Sequence, residues 1–271
     1  DSRGRLFYEY VRVIRDKQPR FFLAENVPGI ISRTHIGRFE GLVKEFNKVG
    51  YIISFAKLYA ADFGVPQERK RVFIVGIRSD LDFVFQFPSP THGKPPLKAY
   101  VTLKETIGEL PEPRRAKDKN KTHGENLEIP NHEYYYGKFS SRYMSRNRVK
   151  GWGEQAYTVE ASGRHAKLHP KATPMTKLGQ DSWAFDENKL ASYRRLSVRE
   201  SARVQGFPDD FFFFYKYLND GYKMIGNAVP VLLARLLAES IRSQLKNPKQ
   251  EPSKYRDPHS KRITYQTQLF P

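Results

Sequence analysis

The chain has no cysteine. That single absence excludes disulfides, thiolate-bound zinc and a cysteine nucleophile supplied by this polypeptide itself. Acidic residues are also short: 29 Asp and Glu stand against 47 Lys and Arg, leaving a formal charge of +18. Read along its length, the sequence shows no apolar stretch that approaches a membrane span. Its first residues, Asp1-Ser2-Arg3-Gly4-Arg5, lack the apolar core of a signal peptide. These absences point to a cytoplasmic protein without a membrane anchor. There is no initiator Met, and Asp is a poor residue for Met removal, so Asp1 reads as a cut boundary rather than a native start.

What is present supports a folded domain. A hydrophobic fraction of 39% over 271 residues can bury one large core, or a core and a smaller lobe. An excess of 18 positive charges is more than solubility requires and is the footprint of a polyanion partner, with nucleic acid first among candidates. A solvated basic surface with no partner is the blander alternative.

Helix and strand signals alternate in the first third of the chain. Leu6, Phe7, Tyr10, Val11, Val13 and Ile14 recur at helical spacing, and Phe21 to Ala24 is a continuous apolar run of the kind buried in a parallel sheet. Ile36, Phe39, Leu42, Val43 and Phe46 form a second helical stripe that stops at Gly50, and residues 51–59 and 72–77 read as strands. This order implies an α/β layer architecture. Pro88, Pro90, Pro95 and Pro96 then mark a linker over 86–98. Thr102 with Glu105, and Ser197 with Glu200, have capping-box spacing, which predicts short helices over 103–110 and after Ser197. Pro230 suits the first position of an apolar helix running to Leu245. Residues 131–180 carry nine Lys and Arg, three Glu and no Asp without clear period, and read as an irregular basic lobe. The tail from Asn247 is polar and proline-bearing, and is expected to be mobile.

Several short segments can carry chemistry. Glu25-Asn26-Val27 follows a buried strand, and a Glu at the carboxyl end of such a strand can hydrogen-bond a base edge as readily as it can cap a helix. Arg69 and Arg71 alternate on one side of a segment entering a strand, which suits phosphate or carbonyl recognition, or else a solvated edge. Gly226-Asn227-Ala228-Val229-Pro230 joins a loop to a helix start, where free N–H groups and an amide can hold a small polar ligand, or where a plain turn and cap suffices. His165 and His169 have metal-ligand spacing, but no acidic residue is arranged around them and Pro170 follows, so no metal is expected. In the basic lobe Arg142, Arg146, Arg148 and Arg164 interleave with Tyr143, Asn147, Tyr157 and Ser162. That mixture can pair Arg with guanine and Asn with adenine, and can stack aromatic rings on bases.

The order of these blocks resembles the DNA cytosine-5 methyltransferases of bacterial restriction-modification systems. The resemblance covers residues 1 to about 245. The stretch from Asp1 to Phe7 is similar to the block in which a Leu lies near the cofactor. Glu25-Asn26-Val27 resembles the catalytic Glu block, and Gln67, Arg69 and Arg71 the arginine block. Arg195 to Glu200 with Gln205-Gly206-Phe207-Pro208 resembles the block that organises the recognition lobe, and residues 226–230 the block that closes the S-adenosylmethionine pocket. Met144 to Val149 and Thr158 to Arg164 look close to a family member whose site is GGCC. The family's Phe-x-Gly-x-Gly loop and its Pro-Cys-Gln nucleophile segment have no counterpart here, and their places fall upstream of Asp1.

The resemblance implies an α/β fold of the S-adenosylmethionine-dependent methyltransferase (Rossmann-like) class with its N-terminal part absent, plus a smaller irregular DNA-recognition domain. The expected division is 1–86 for the catalytic domain, 87–195 for linker and recognition domain, 196–246 for the organiser and returning helix, and 247–271 for the tail. The reaction implied is methyl transfer to C5 of a flipped cytosine in double-stranded DNA. Glu25 would hold the N3/N4 edge, Arg71 the O2 and a phosphate, and Arg69 would support the loop. Leu6, Asn227 and Ala228 would line the cofactor pocket. Arg142, Arg146, Asn147, Arg148, Thr158, Ser162 and Arg164 would read the DNA. The cysteine must come from an upstream segment or a partner subunit. The alternatives are a catalytically inactive DNA-binding paralogue or regulatory subunit and, less favoured, an RNA methyltransferase of similar fold.

Overall fold

The computed structural model describes residues 2–247 and the backbone of 264–265, with side chains from Leu6 onward. In chain order the regular elements begin α1 (Ser2–Lys17), β1 (Phe21–Asn26), α2 (Ile36–Lys48), β2 (Tyr51–Tyr59), β3 (Gln67–Glu68) and β4 (Lys70–Arg78). Next come α3 (Leu103–Ile107), β5 (Arg114–Arg115), β6 (Glu133–Tyr134), β7 (Ala156–Tyr157), β8 (Thr176–Gly179) and β9 (Ser182–Ala184). The helices α4 (Val198–Val204), α5 (Leu218–Asn227) and α6 (Val231–Lys246) follow, with a two-residue strand, β10 (Thr264–Tyr265), beyond them. The expected mobile tail otherwise lies outside the described residues.

Two compact units result. The first comprises residues 1–59, 70–89 and 235–271, and the second 60–69 and 90–234. The sequence reading divided the chain into 1–86, 87–195, 196–246 and 247–271, with the third segment returning to the catalytic domain. The chain instead leaves the first unit at 60, returns at 70, and re-enters it partway along α6.

The first unit is built on a sheet of order β1-β4-β2-β10. Here the expected parallel sheet is corrected: β4 lies antiparallel to both β1 and β2, between them, and only β10 pairs in parallel. The apolar run of β4 could not reveal this, because a central strand covered on both faces reads the same in either orientation. Val72, Phe73, Ile74, Val75 and Ile77 are all fully buried. One sheet face is covered by α1 and α2, whose stripes bring Val11, Ile14, Phe39, Val43 and Phe46 against Phe22, Tyr51, Ile53 and Phe55. Phe22 lies over Gly76, where an added Cβ would come within 2.0 Å of the ring; only glycine lets that ring settle on β4.

The second unit has two cores. One gathers Leu103 and Ile107 of α3, Val198, Ala202 and Val204 of α4, and Leu218, Tyr222 and Ile225 of α5. The other packs Tyr143, Val149, Leu168, Met175 and Tyr193. Both expected capping boxes are formed: Thr102 and Ser197 each accept from the N–H three residues on, and Glu105 and Glu200 each accept from the cap N–H in return. The first helix is shorter than expected, ending at Ile107.

One expectation needs amending. Residues 218–246 are long and apolar enough, by length and composition alone, to pass as a membrane span. In the structure the stretch is two helices broken at Ala228–Pro230, and Leu218, Tyr222, Ile225, Leu233, Leu237 and Ile241 are buried inside the protein.

Candidate active site and nucleic-acid interface

Glu25 stands one residue before the end of β1. The strand stops there for local reasons: Asn26 Oδ1 accepts the Val27 N–H at 2.8 Å, and Pro28 has no N–H to continue a ladder. The register pairs Glu25 with Phe73, so Arg71 is the diagonal neighbour on the same sheet face. Arg71 Nε meets Glu25 Oε1 at 2.8 Å, with the side chains 16% and 26% exposed. Nη1 of Arg71 also donates to the Lys70 carbonyl at 2.8 Å. The result is a carboxylate with one oxygen anchored and its rotamer fixed, half-open to solvent, beside a guanidinium with remaining donors. That pair can accept from an exocyclic amine and donate to a carbonyl or phosphate oxygen. Leu6, on α1 of the same unit, is 67% exposed.

Arg69 has a different fate from Arg71, which corrects the picture of two guanidinium forks on one side. Arg69 belongs to the second unit, is 2% exposed, and spends its donors on backbone carbonyls: Nη1 on Val159 at 3.3 Å, Nη2 on Gly226 at 3.0 Å and Ala228 at 3.2 Å. Gln67 and Gln205 extend the same buried network. Gln67 accepts from Val159 N at 2.9 Å and donates to Gln205 Oε1 at 2.5 Å, and Gln205 donates to the Ile225 and Ala228 carbonyls at 3.1 and 2.6 Å. Arg69 and Gln205 thereby satisfy orphan carbonyls at the end of α5, and Gln67 holds Gln205 in place.

The 226–230 segment is therefore the end of one helix and the lead into the next, not a loop entering a helix. Gly226 is required by close approach: a Cβ there would lie 2.4 Å from Ala161 N. Asn227 is left exposed, and its amide has no hydrogen-bond partner among the described residues. Asn227, with its uncommitted amide, and the half-buried Ala228 belong to the second unit, whereas Leu6 belongs to the first.

The recognition-lobe residues separate into two sets. Arg142, Arg146 and Arg164 are exposed, and no ion pair engages them among the described residues. The others are committed within the lobe. Arg148 is 7% exposed, donates to the carbonyls of Tyr143 at 2.7 Å and Arg142 at 3.0 Å, and lies over the Tyr143 ring; it stands behind the exposed arginines rather than beside them. The Asn147 amide bridges Val149 N and O, Thr158 Oγ1 donates to the Glu68 carbonyl at 2.6 Å, and Ser162 contacts Asn219. Tyr143, expected to stack on bases, is 1% exposed with its hydroxyl on Ala166 O. In this conformation these five side chains brace the lobe.

Sequence reasoning missed a second buried polar cluster. Arg194 makes a two-pronged contact with Glu200 at 2.9 Å on each oxygen, and His169 Nε2 lies 3.6 Å from the same carboxylate. Burial pushes the Glu200 carboxyl upward, but the hydrogen bonds and charge of Arg194 outweigh it and hold it below the usual range. Burial pushes the His169 imidazole down to about 4, so it is neutral at pH 7. The contact with Glu200 is thus no ion pair: Arg194 already neutralises the carboxylate. Thr/Ser-to-Glu capping spacing was the available signal for Glu200. His169 carried none, and His165 sits apart from it, half-exposed near Glu160.

Comparison with known proteins agrees with this architecture. Residues 1–243 match the family described as C-5 cytosine-specific DNA methylase. The type II methyltransferase M.MthTI of Methanothermobacter thermautotrophicus is 57% identical over 245 residues, covering 90% of this chain and 72% of that protein. M.FnuDI of Fusobacterium nucleatum is 48% identical, covering 90% and 71%. Among solved structures, a prophage-encoded DNA modification methyltransferase from E. coli superposes with a TM-score of 0.65 at 22% identity, covering 91% of this chain and 75% of the other. The S. pombe Dnmt2 methyltransferase gives 0.56 at 16%, covering 90% and 74%. The fold is that of the S-adenosylmethionine-dependent DNA methyltransferases, and the chain belongs to the C-5 cytosine-specific DNA methylase family.

Proposed function

We propose that this chain is the base-activating and DNA-reading portion of a type II DNA cytosine-5 methyltransferase of the bacterial cytoplasm, acting within a GGCC-like site. The observation that carries the reading is the anchored Glu25–Arg71 pair at the end of β1. A protein that only binds DNA has no use for a carboxylate pinned by a guanidinium on one oxygen and left open on the other. The pair therefore disfavours the inactive-paralogue alternative.

In this reading the target cytosine is extruded from the duplex, at the unstacking cost common to enzymes that work on a base. Glu25 accepts from the N4 amine and favours a proton at N3, drawing off the charge that builds as a thiolate adds at C6. Arg71 donates to O2 and the adjacent phosphate. Arg69 acts on the turn that carries Asn227 and does not touch the base. S-adenosylmethionine, when bound, supplies the electrophilic methyl group. Leu6, Asn227 and Ala228 hold that cofactor, while the thiolate and the glycine loop come from a segment or subunit this chain does not include. Arg142, Arg146 and Arg164 read the site, with bidentate Arg–guanine pairing matching a G-rich sequence.

The test is reconstitution. Mixing this chain with a polypeptide that carries the glycine loop and the Pro-Cys-Gln segment should restore transfer of labelled methyl from S-adenosylmethionine to a GGCC duplex. Neither partner alone should transfer. No association and no activity in the mixture would overturn the proposal.

A further inference from the structure

A second positive surface lies outside the residues assigned to base reading. Arg114 and Arg115 form β5, paired in parallel with β6. The chain then turns through Lys117, Lys119 and Lys121, and all five cations are exposed without an ion pair among the described residues. Asp118 is the one carboxylate within residues 114–124. Glu133, across the strand pair, is buried and taken up by Thr122, the His123 N–H and the Tyr215 hydroxyl.

A charge run of this density is usually a mobile solvated tract. This one is fixed. Lys117 N donates to Lys121 O at 3.0 Å, and Asn120, in the left-handed region, grips the backbone N and O of Tyr136 at 2.7 Å each. Arg115 stacks 3.9 Å over the ring of Tyr136, which is itself 56% exposed. Stacking holds a guanidinium flat with its edge donors outward, the presentation that suits phosphate oxygens. Beneath the ridge, the ring of Tyr135, next in sequence to Tyr136, packs where a Cβ on Gly163 would come within 2.8 Å, and Gly163 precedes the exposed Arg164. Holding five like charges on a rigid turn is unfavourable unless a polyanion offsets them.

We propose that the ridge formed by Arg114, Arg115, Lys117, Lys119, Lys121 and Tyr136 grips the phosphate backbone of duplex DNA flanking the recognised bases. It adds affinity without adding sequence discrimination, and it rests on the reading of this chain as a DNA methyltransferase portion. Phosphate contacts position a protein on the duplex, whereas base contacts specify the sequence.

The experiment compares three forms of this chain by fluorescence anisotropy across a salt series. They are the wild type, a variant carrying Arg115→Gln, Lys117→Gln, Lys119→Gln and Lys121→Gln, and a charge-keeping variant that retains Arg115 and carries Lys117→Arg, Lys119→Arg and Lys121→Arg. Each is titrated with a duplex trimmed to the GGCC site, a long duplex containing it, and a long scrambled one. At about 0.9 per phosphate contact, losing four contacts should flatten the slope of log K against log salt by roughly 3.6. The neutral variant should lose the preference for the long duplex and keep the wild-type ratio of cognate to scrambled affinity, while the charge-keeping variant follows the wild type. An unchanged slope in the neutral variant, equal loss in both variants, or loss of discrimination alone would each overturn the ridge and leave the methyltransferase reading standing. A wild-type chain that binds no duplex would overturn both.

Discussion

Arg69 and Arg71 stand two residues apart and do different work because they end in different units. Arg71 is part-exposed and tied to Glu25, so its remaining donors are open to solvent; Arg69 is enclosed by carbonyls and can only position. The distinction can be tested on Glu25, which meets the base in the proposed reaction. Glu25→Gln keeps the shape of the side chain but removes the charge that favours a proton at N3. In the reconstituted enzyme it should lower methyl transfer by about 10²–10⁴, the usual weight of a positioned proton-handling group. Duplex affinity should stay within about 1 kcal/mol, the worth of a part-exposed ion pair. Parallel loss of transfer and binding would make Glu25 a structural residue. At this scale local motifs singled out Glu25, Arg69 and Arg71, yet they could not separate positioning from contact. That separation depends on which carbonyls surround a guanidinium after folding.

Among the elements, the turn between α5 and α6 concentrates the buried polar network. Arg69 and Gln205, the latter held by Gln67, converge on the carbonyls of Ile225, Gly226 and Ala228, and the backbone of Ala161 lies close against Gly226. Gly226→Ala therefore drives a Cβ into backbone that has no rotamer to relax. It should cost about 1–3 kcal/mol, as overpacking does, and lower the thermal midpoint. Gly29→Ala, where nothing lies within 4 Å, should leave it unchanged and serves as the control. If both melt alike, the turn is not tightly packed. Capping boxes, the α1 and α2 stripes and the extents of β1, β2 and β4 were legible because each depends on neighbours within a few residues. Strand order was not. Inserting β4 antiparallel between β1 and β2 is a choice among long-range pairings that leave identical apolar runs in the sequence.

For the whole molecule, the positive charge excess and the buried polar cluster both disfavour the folded state as pH falls. An interior that keeps His169 neutral must keep out a proton that the unfolded chain accepts. His169 Nδ1 accepts from the Lys171 N–H at 3.2 Å, which places the ring proton on Nε2 toward Glu200. Protonating Nδ1 would break that bond in a site already holding Arg194. With the folded value at about 4 against an unfolded value near 6.5, the unfolded state binds more protons throughout that window. Stability is then highest above the unfolded value and declines as pH drops from about 6.5 toward 4, by roughly 2–3 kcal/mol from this residue. His92, also held low by burial, adds in the same direction. Carboxylates held low, such as Glu200, Asp209 and Glu109, lose their contribution only further down, below their ordinary values near 4. Denaturant unfolding from pH 7 to pH 5 should therefore show a falling midpoint for the wild type. His169→Asn, which retains an acceptor but cannot titrate there, should show a shallower fall. If the two curves run parallel, the acid sensitivity arises elsewhere than at the buried imidazole.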